Sequence, residues 1–425
     1  MNLHPPGTSA AYPRTVKDRF PLFAALGVGA IVVQDALSRQ GAAQAGVTLL
    51  IAIMAVGLLL LPSPERIGPK PAKVPMPLIL FVVFSAARLV LDPSKQGLQN
   101  WLVWFLLPAA MALVARRTSE GTPQRVYRWW LPATLLVASV YGVLVLTHEA
   151  GYAGNLYAAR GMGWILVIAL SFIVGAQLWK PALFFWPVWF LTLIIGSTLT
   201  RSAGFLALLC ATGLAVLSRR GRLTAMRFSA LLAVMGFVGY YAVTQVSAIR
   251  DRFTVGDQAF QFGGTGLNTS GRAELWSATW HAIPEHPWIG HGPGQAQYFI
   301  EQRFVTIAHP HNEYLRLLYD TGWIGAILWV LGMLLLMRGC WHRMRHASTA
   351  IGRGTHLAGV LAIVTFLLGN ITDNLTVGIG FVLIFSTVVG LSLGLPEAGV
   401  DAAQAAEREA EQLPYTASGR WLSSR

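Results

Sequence analysis

The sequence predicts an all-α integral membrane protein with about twelve transmembrane helices and one large loop outside the membrane that contains short helices. Of its 425 residues, 54% are hydrophobic and only 12% are charged, which is more apolar surface than a soluble core buries. The net charge of +13 is spread over small basic clusters between apolar runs. Because no continuous basic face is present, we expect membrane lipids and not nucleic acid as partners.

The apolar runs define the predicted transmembrane helices. A helix needs about 20 mostly apolar residues to cross a bilayer. The candidate spans lie near 20–36, 43–61, 76–92, 98–115, 129–147, 161–179, 182–199, 202–217, 228–246, 318–337, 355–371 and 375–394.

The spans divide the chain into four predicted parts. Residues 1–246 carry about nine transmembrane helices, 247–317 form the large outer loop with the catalytic motifs, 318–394 carry about three more helices, and 395–425 form a tail. About two thirds of the 32 Lys and Arg residues fall in one alternating set of loops, which includes both termini. The positive-inside rule therefore predicts cytoplasmic termini and an outer loop that faces the periplasm.

A helix is predicted inside the outer loop from Arg272 onward. Ala273, Trp276, Trp280 and Ile283 follow at helical spacing and form an apolar stripe, and Pro284 ends the helix. The stripe suits a helix lying at the membrane interface, or one that only packs on the bundle. In both cases Arg272 adds its charge to the positive end of the helix dipole and favours an anion.

Two further arginines are unusual in the context of membrane insertion. Arg201 sits between two strongly apolar runs, where an arginine costs about 2.5 to 3.5 kcal/mol unless it is paired or hydrated. An anionic partner would explain it, and snorkelling to the headgroups is the alternative. The same alternative applies to Arg160, which precedes the sixth span on the outer side.

Glycine is concentrated between 287 and 294. Gly290, Gly292 and Gly294 alternate with other residues there, which excludes regular helix and predicts a tight, specified turn. Backbone N–H groups of such a turn can bind phosphate. The run nevertheless lacks the lysine and the strand context of a P-loop.

A histidine pair lies where the outer loop meets the tenth span. His309 and His311 precede Glu313, and histidine is the side chain best suited to accept a proton near neutral pH. A zinc site at these three residues is an alternative, but ligands at every second position of one extended segment rarely close a tetrahedron. No metal is therefore expected. Glu313, Tyr314 and Asp373 remain open as groups that orient His311.

These motifs together resemble the O-antigen ligase and O-antigen polymerase superfamily. The resemblance rests on Arg201 within Thr-Arg-Ser-Ala-Gly, Arg272 followed by Trp276, the glycine run from Pro287, and His311-Asn312-x-Tyr314-Leu315. The motifs occur in this order from about 155 to 392. Arg160 with Gly161 resembles a weaker motif of the superfamily.

The resemblance implies the function and the roles of the site residues. It implies a metal-independent, cofactor-free glycosyltransferase in the bacterial inner membrane, with undecaprenyl pyrophosphate-linked glycan as donor and a lipid A core sugar as acceptor. Arg201, Arg272 and Arg160 would bind the pyrophosphate, and His311 would be the general base. The residues expected to support them are His309, Asn312, Tyr314, Gly290 and Gly292.

Two alternatives differ in acceptor or in chemistry. A polymerase would join lipid-linked repeat units, but many polymerases of this superfamily have two large outer loops, whereas segment 148–160 here is short. A lipid-linked glycan transporter would use the arginines to line a path. No inverted repeat is apparent, and the polar residues are grouped on one side of the predicted membrane, which argues against transport.

Overall fold

The computed structural model describes residues 71–148, 159–182, 185–217, 265–304 and 309–395, together with isolated positions between 241 and 262 and at 307. Eleven α-helices are described, and we number them in chain order. They are α1 (Met76–Leu91), α2 (Lys95–Arg117), α3 (Thr122–Thr147), α4 (Ala159–Ala176), α5 (Trp186–Ser197), α6 (Arg201–Leu217), α7 (Arg272–Ala282), α8 (Gln295–Arg303), α9 (Glu313–His346), α10 (Ala350–Gly369) and α11 (Ile379–Gly394).

The apolar helices agree with the predicted class of fold. Helices α2, α3, α4, α9 and α10 are long and apolar enough to cross a membrane, and α1, α5 and α11 are shorter apolar helices. The predicted spans near 20–36 and 43–61 lie outside the described residues, and so does almost all of the span near 228–246. The total of twelve spans therefore stays a prediction, and so does the tail, of which only Leu395 is described.

Helix α4 lies at the centre of the described bundle. Of its membrane-length window 89% is buried, compared with 22% for α3, so α4 is enclosed by other helices while α3 presents most of its apolar surface outward. Helix α4 packs against α10, α6 and α5. This central position matters for the site, because Arg160 lies in the first turn of α4.

The outer loop contains more than the predicted short helices. A small antiparallel hairpin pairs β1 (Phe260–Phe262) with β2 (Thr265–Leu267), with Phe260 opposite Leu267. Helix α7 begins at Arg272, as predicted from the sequence. A short 3-10 turn, Ile283–Glu285, follows it.

The predicted apolar stripe of α7 is buried only at Ile283, in the 3-10 turn that follows the helix. Within the helix Leu275, Thr279 and Ala282 are buried, whereas Trp280 is 53% exposed. Trp276 is partly buried and donates from Nε1 to the carbonyl oxygen of Pro310 at 2.9 Å. Trp276 therefore makes a hydrogen bond and Trp280 lies on the surface, while smaller side chains pack on the bundle.

Helix α9 is interrupted where the glycine-rich turn docks on it. Gly322 has φ 62° and ψ −171°, which breaks the helix into two parts. The backbone N–H of Trp323 donates to Pro287 O at 2.9 Å, and the N–H of His291 donates to Tyr319 O at 2.9 Å. A Cβ on Gly290 would lie 2.5 Å from the carbonyl carbon of Asp320, so the two backbones touch directly.

We expect Gly322→Ala to destabilise the protein by about 2 kcal/mol or more, because a left-handed φ and a steric clash coincide at this residue. A Cβ there would collide with the carbonyl group of Trp288 and lie 2.5 Å from Ile289 N. The measurement is the midpoint of thermal aggregation in detergent. Gly339→Ala, on the same helix with no atom within 4 Å of the added Cβ, is the matched control. Equal midpoints for the two variants would contradict the docking argument.

Candidate active site

His311 is held in an unusual backbone conformation just before α9. Its φ is 54°, a region that residues other than glycine seldom occupy and that costs on the order of 1–3 kcal/mol. Asn312 follows as the N-cap of α9, and its side chain accepts from Leu315 N at 3.1 Å. The preceding carbonyl, of Pro310, is fixed by Trp276. The imidazole, 27% exposed, is therefore presented from a firmly held turn.

Two residues distant in sequence meet the imidazole of His311. Arg160 Nη2 lies 3.2 Å from His311 Nδ1, and Asp373 Oδ1 lies 3.7 Å from the same nitrogen. Arg160 Nε donates to Asp373 Oδ2 at 2.5 Å. Arg160, His311 and Asp373 thus form one cluster, built from α4, from the turn before α9 and from the connection between α10 and α11.

The carboxylate of Asp373 is held in its ionised form. Trp164 Nε1 donates to Oδ2 at 2.7 Å, and the backbone N–H of Asn374 donates to Oδ1 at 2.9 Å. Burial alone would raise the pKa of Asp373, but the charge of Arg160, its hydrogen bond to the carboxylate and the backbone N–H of Asn374 lower it below the ordinary value. Asp373 therefore carries a negative charge throughout the physiological pH range.

Of the three residues left open by the sequence, only Asp373 faces His311. Tyr314 donates its hydroxyl to Leu367 O at 2.7 Å. Glu313 is fully buried and pairs with Arg316, whose Nε donates to Glu313 Oε2 at 3.0 Å. Because Asn374 Nδ2 also donates to that oxygen, at 3.2 Å, the buried pair supports the loop that carries Asp373.

Arg201 and Arg272 are the first residues of α6 and α7, and one turn connects their surroundings. Arg201 is the first residue of α6, and it donates from Nη1 to Asn268 O at 2.8 Å and from Nη2 to Ser270 Oγ at 3.2 Å. These acceptors lie in the turn that precedes α7, which begins at Arg272. The carboxylate of Asp257 accepts from the backbone of the same turn, including Gly271 N at 2.8 Å. The two arginines are therefore brought to one place by this turn.

Arg272 lies in a cationic environment. Desolvation, together with the charges of Arg160 and Arg201, lowers the pKa of Arg272 to about 10, and the charge of Asp373 opposes them. The guanidinium still carries its proton at neutral pH. Its side chain donates no hydrogen bond to any residue in the described ranges, so its donors remain available to an anion.

His309 differs from His311 in its surroundings. Burial, followed by the charge of Arg316, lowers the pKa of His309 to about 3, so this imidazole is neutral at physiological pH. Its Nδ1 is buried and has no hydrogen-bond partner in the described part of the chain. Among the described residues, no three His, Cys, Asp or Glu side chains are grouped as metal ligands, and Glu313 is already paired with Arg316.

The glycine turn has a structural role. The backbone N–H groups of Gly290, His291, Gly292 and Gly294 already donate to protein acceptors: His286 O, Tyr319 O, Asp320 O and the Asp320 carboxylate. The phosphate cradle considered from the sequence therefore lacks free donors at these positions. Gly290 and Gly292 hold the turn against α9, and the positive φ of each explains the need for glycine.

The described fold and site together define a class of protein. Apolar helices enclose a polar cluster in which three arginines, a histidine and a carboxylate share one electrostatic neighbourhood. This is a multi-pass membrane protein with a site suited to an anionic group and to proton transfer.

The comparisons with known proteins agree with the resemblance seen in the motifs. Residues 186–330 match the family profile described as O-antigen ligase. An O-antigen ligase from Pseudomonas aeruginosa is 30% identical over 101 residues, which is 24% of this chain and 25% of that protein. The resemblance predicted from the motifs is thus confirmed: this part of the chain is similar to the O-antigen ligases. The matched part is about a quarter of the curated relative's length.

Proposed function

We propose that this protein is an inverting, metal-independent glycosyltransferase that moves O-antigen glycan from undecaprenyl pyrophosphate to a sugar hydroxyl of the lipid A core. The observation that carries the proposal is the approach of Arg160 and Asp373 to His311, beside Arg201 and Arg272. The similarity of residues 186–330 to the O-antigen ligase family supports the same reaction.

The arginines provide positive charge that binds the pyrophosphate of the donor. A pyrophosphate diester carries about two negative charges, and more charge develops on the leaving oxygen as the glycosidic bond breaks. Arg201 and Arg272 are fixed cations at neighbouring helix starts, and a guanidinium binds phosphate oxygens through paired N–H donors. The two arginines supply the positive charge that a divalent metal ion supplies in other transferases.

His311 serves the acceptor. As the acceptor oxygen bonds to the anomeric carbon, its proton moves to the imidazole, and the bond from that carbon to the pyrophosphate oxygen breaks. The electron pair leaves with undecaprenyl pyrophosphate. Asp373 stabilises the imidazolium that forms. A single displacement of this kind inverts the anomeric carbon.

The reaction is assigned to the periplasmic side of the bacterial inner membrane. The cytoplasmic placement of both termini follows from the distribution of Lys and Arg, and it directs the outer loop, 247–317, to the periplasm. Lipid-linked donor, lipid A core acceptor and membrane lipids are the partners in this proposal, and no cofactor is needed.

The ligase is favoured over the polymerase. Segment 148–160, short in this chain, leaves one dominant outer loop before the histidine. The matching family and the Pseudomonas aeruginosa relative are also named O-antigen ligases.

The test is a transfer assay with purified full-length protein in lipid vesicles. Undecaprenyl pyrophosphate-linked glycan and rough lipopolysaccharide are added with EDTA and without ATP, and a parallel reaction omits the lipopolysaccharide. We expect glycan on the lipopolysaccharide, with its anomeric configuration inverted relative to the donor. Elongation of lipid-linked glycan in both reactions would identify a polymerase. Glycan movement across the bilayer without any transfer would identify a transporter and overturn the proposal.

A further inference from the structure

The guanidinium of Arg160 bridges the acid and the base of the site. Its Nε donates to Asp373 Oδ2 at 2.5 Å, and its Nη2 lies 3.2 Å from His311 Nδ1. The carboxylate itself is farther from the ring, with 3.7 Å between Asp373 Oδ1 and Nδ1. Arg160 therefore holds the position at Nδ1 that a carboxylate occupies in a histidine–aspartate pair.

This contact determines the tautomer of His311. A guanidinium has N–H donors and no acceptor, so at 3.2 Å it must donate to a lone pair on Nδ1. A neutral imidazole with its lone pair on Nδ1 carries its proton on Nε2. The described arrangement is thus the Nε2–H tautomer, in which Nε2 has no lone pair to accept a proton.

The tautomer that is active as a base requires a different partner at Nδ1. With the proton on Nδ1, the ring must donate to an acceptor, and Asp373 Oδ1 is the carboxylate oxygen that faces it. The present 3.7 Å is too long for a hydrogen bond, which needs about 3.2 Å or less between nitrogen and oxygen. Trp164 and Asn374 hold Asp373 in place, so departure of Arg160 is enough to let the ring and the carboxylate close the gap.

We propose that Arg160 is a positioning residue through which donor binding activates the base: the donor pyrophosphate draws Arg160 away from His311, and Asp373 then receives the Nδ1–H hydrogen bond that frees Nε2 to accept a proton. This inference rests on the proposed function. The change of tautomer is balanced, because Nε2 releases a proton to water and Nδ1 takes one up. The acceptor hydroxyl later gives its proton to Nε2.

The position of Arg160 suits such a movement. Its side chain is 38% exposed, compared with 13% for Asp373, so the guanidinium has room to turn while the carboxylate stays enclosed. Its charge acts on Arg272, so the two guanidiniums share one electrostatic neighbourhood. An anion with about two charges competes with the Asp373 carboxylate for Arg160 and outcompetes the neutral imidazole nitrogen.

The coupling imposes an order on the reaction. Without donor, His311 is not a base, and an acceptor hydroxyl or a water molecule in the site is not activated. With donor bound, the base is formed beside the anomeric carbon. The donor therefore binds productively before the acceptor is deprotonated.

The tautomer can be read directly by nitrogen NMR. Full-length protein is labelled with ¹⁵N in the histidine rings and placed in lipid nanodiscs, and the His311 signals among the 10 histidines are assigned by their loss in His311→Asn. The probe is undecaprenyl pyrophosphate, with undecaprenol as the uncharged control. We expect mainly Nε2–H without ligand, mainly Nδ1–H with the pyrophosphate, and no change with undecaprenol.

Arg160→Met tests the cause of the change. With the donor group removed, His311 is expected in the Nδ1–H form before any ligand is added, whereas Arg201→Met should leave the ligand-free tautomer as in the wild type. If Arg160→Met does not accumulate in the membrane, the proposal is tested by the wild-type spectra with and without undecaprenyl pyrophosphate.

Two kinds of failure are distinguishable. Nδ1–H in the ligand-free wild type, or an unchanged tautomer in a protein that binds the pyrophosphate and transfers glycan, overturns the role of Arg160 and leaves the proposed function standing. Absence of pyrophosphate binding together with absence of transfer overturns both.

Discussion

Replacing Arg272 with alanine is expected to lower kcat/KM for glycan transfer by about 10²–10³-fold, which is the usual effect of removing one charge-stabilising donor from an active site. The side chain is partly desolvated beside Arg160 and Arg201, and it donates no hydrogen bond to a described residue, so its donors are committed to no protein acceptor. Arg272→Lys should recover only part of the rate, because an ammonium cannot bind two phosphate oxygens in the fixed geometry of a guanidinium.

The measurement is initial rate in vesicles at several donor concentrations, together with binding of undecaprenyl pyrophosphate. Arg303→Ala is the matched control: Arg303 belongs to the same outer loop, but its guanidinium stacks 3.8 Å from the ring centre of Phe299. We expect the control to stay close to the wild-type rate. A near-normal rate for Arg272→Ala would remove this residue from the donor site.

The pH dependence of donor binding gives a second readout of Arg272. Its pKa is lowered to about 10, so the cation is complete below that pH and is lost as the pH rises through it. Donor affinity is therefore expected to begin falling as the pH approaches 10, which is well before an ordinary arginine with a pKa near 12.5 would lose its charge. Arg272→Lys provides the comparison at each pH.

Replacing His311 with asparagine is expected to reduce transfer by about 10²–10⁴-fold while donor binding remains, since only the proton acceptor is removed. Asparagine is chosen because φ is 54° at this residue, and asparagine tolerates a left-handed backbone better than alanine does. Loss of activity in this variant then reports the chemistry of the ring and not a change in the turn.

His281→Asn is the matched control for this substitution. His281 lies on α7 in the same outer loop, is exposed, and contacts the carbonyl oxygen of Ser277 through Nδ1 at 2.7 Å. Single-turnover transfer with saturating donor is the appropriate measurement, because it separates chemistry from binding. Wild-type single-turnover rates in His311→Asn would exclude this residue as the base.

The helical architecture could be predicted because its causes are local. Apolar runs of membrane length, the N-cap residues Asn312 and Thr349 and the helix start at Arg272 can each be recognised within a few neighbouring residues. The buried face of α7 could not be predicted in this way. Hydrophobicity favoured Trp276 and Trp280, whereas the carbonyl of Pro310, distant in sequence, determines where Trp276 lies.

The candidate site was predictable residue by residue but not as an assembly. Arg160 and Asp373 are separated by 213 positions, and their contact depends on how α4 packs against α10. The sequence did contain one signal for the contact. Asp373 lies in the very short connection between two apolar runs, where a carboxylate needs a cation or water as a partner. For the glycine turn, the unusual φ angles could be predicted from the glycines themselves. The surface of α9 on which the turn docks could not be predicted.

The late position of Asp373 in the chain has a consequence for biogenesis. Arg160 lies in the first turn of α4, whereas its carboxylate partner lies in the connection between α10 and α11. A nascent or truncated chain that stops before residue 373 contains Arg160, Arg201 and Arg272 but lacks the carboxylate that pairs with Arg160. We therefore expect the cluster around His311 to form only after α10 has been synthesised and has packed on α4.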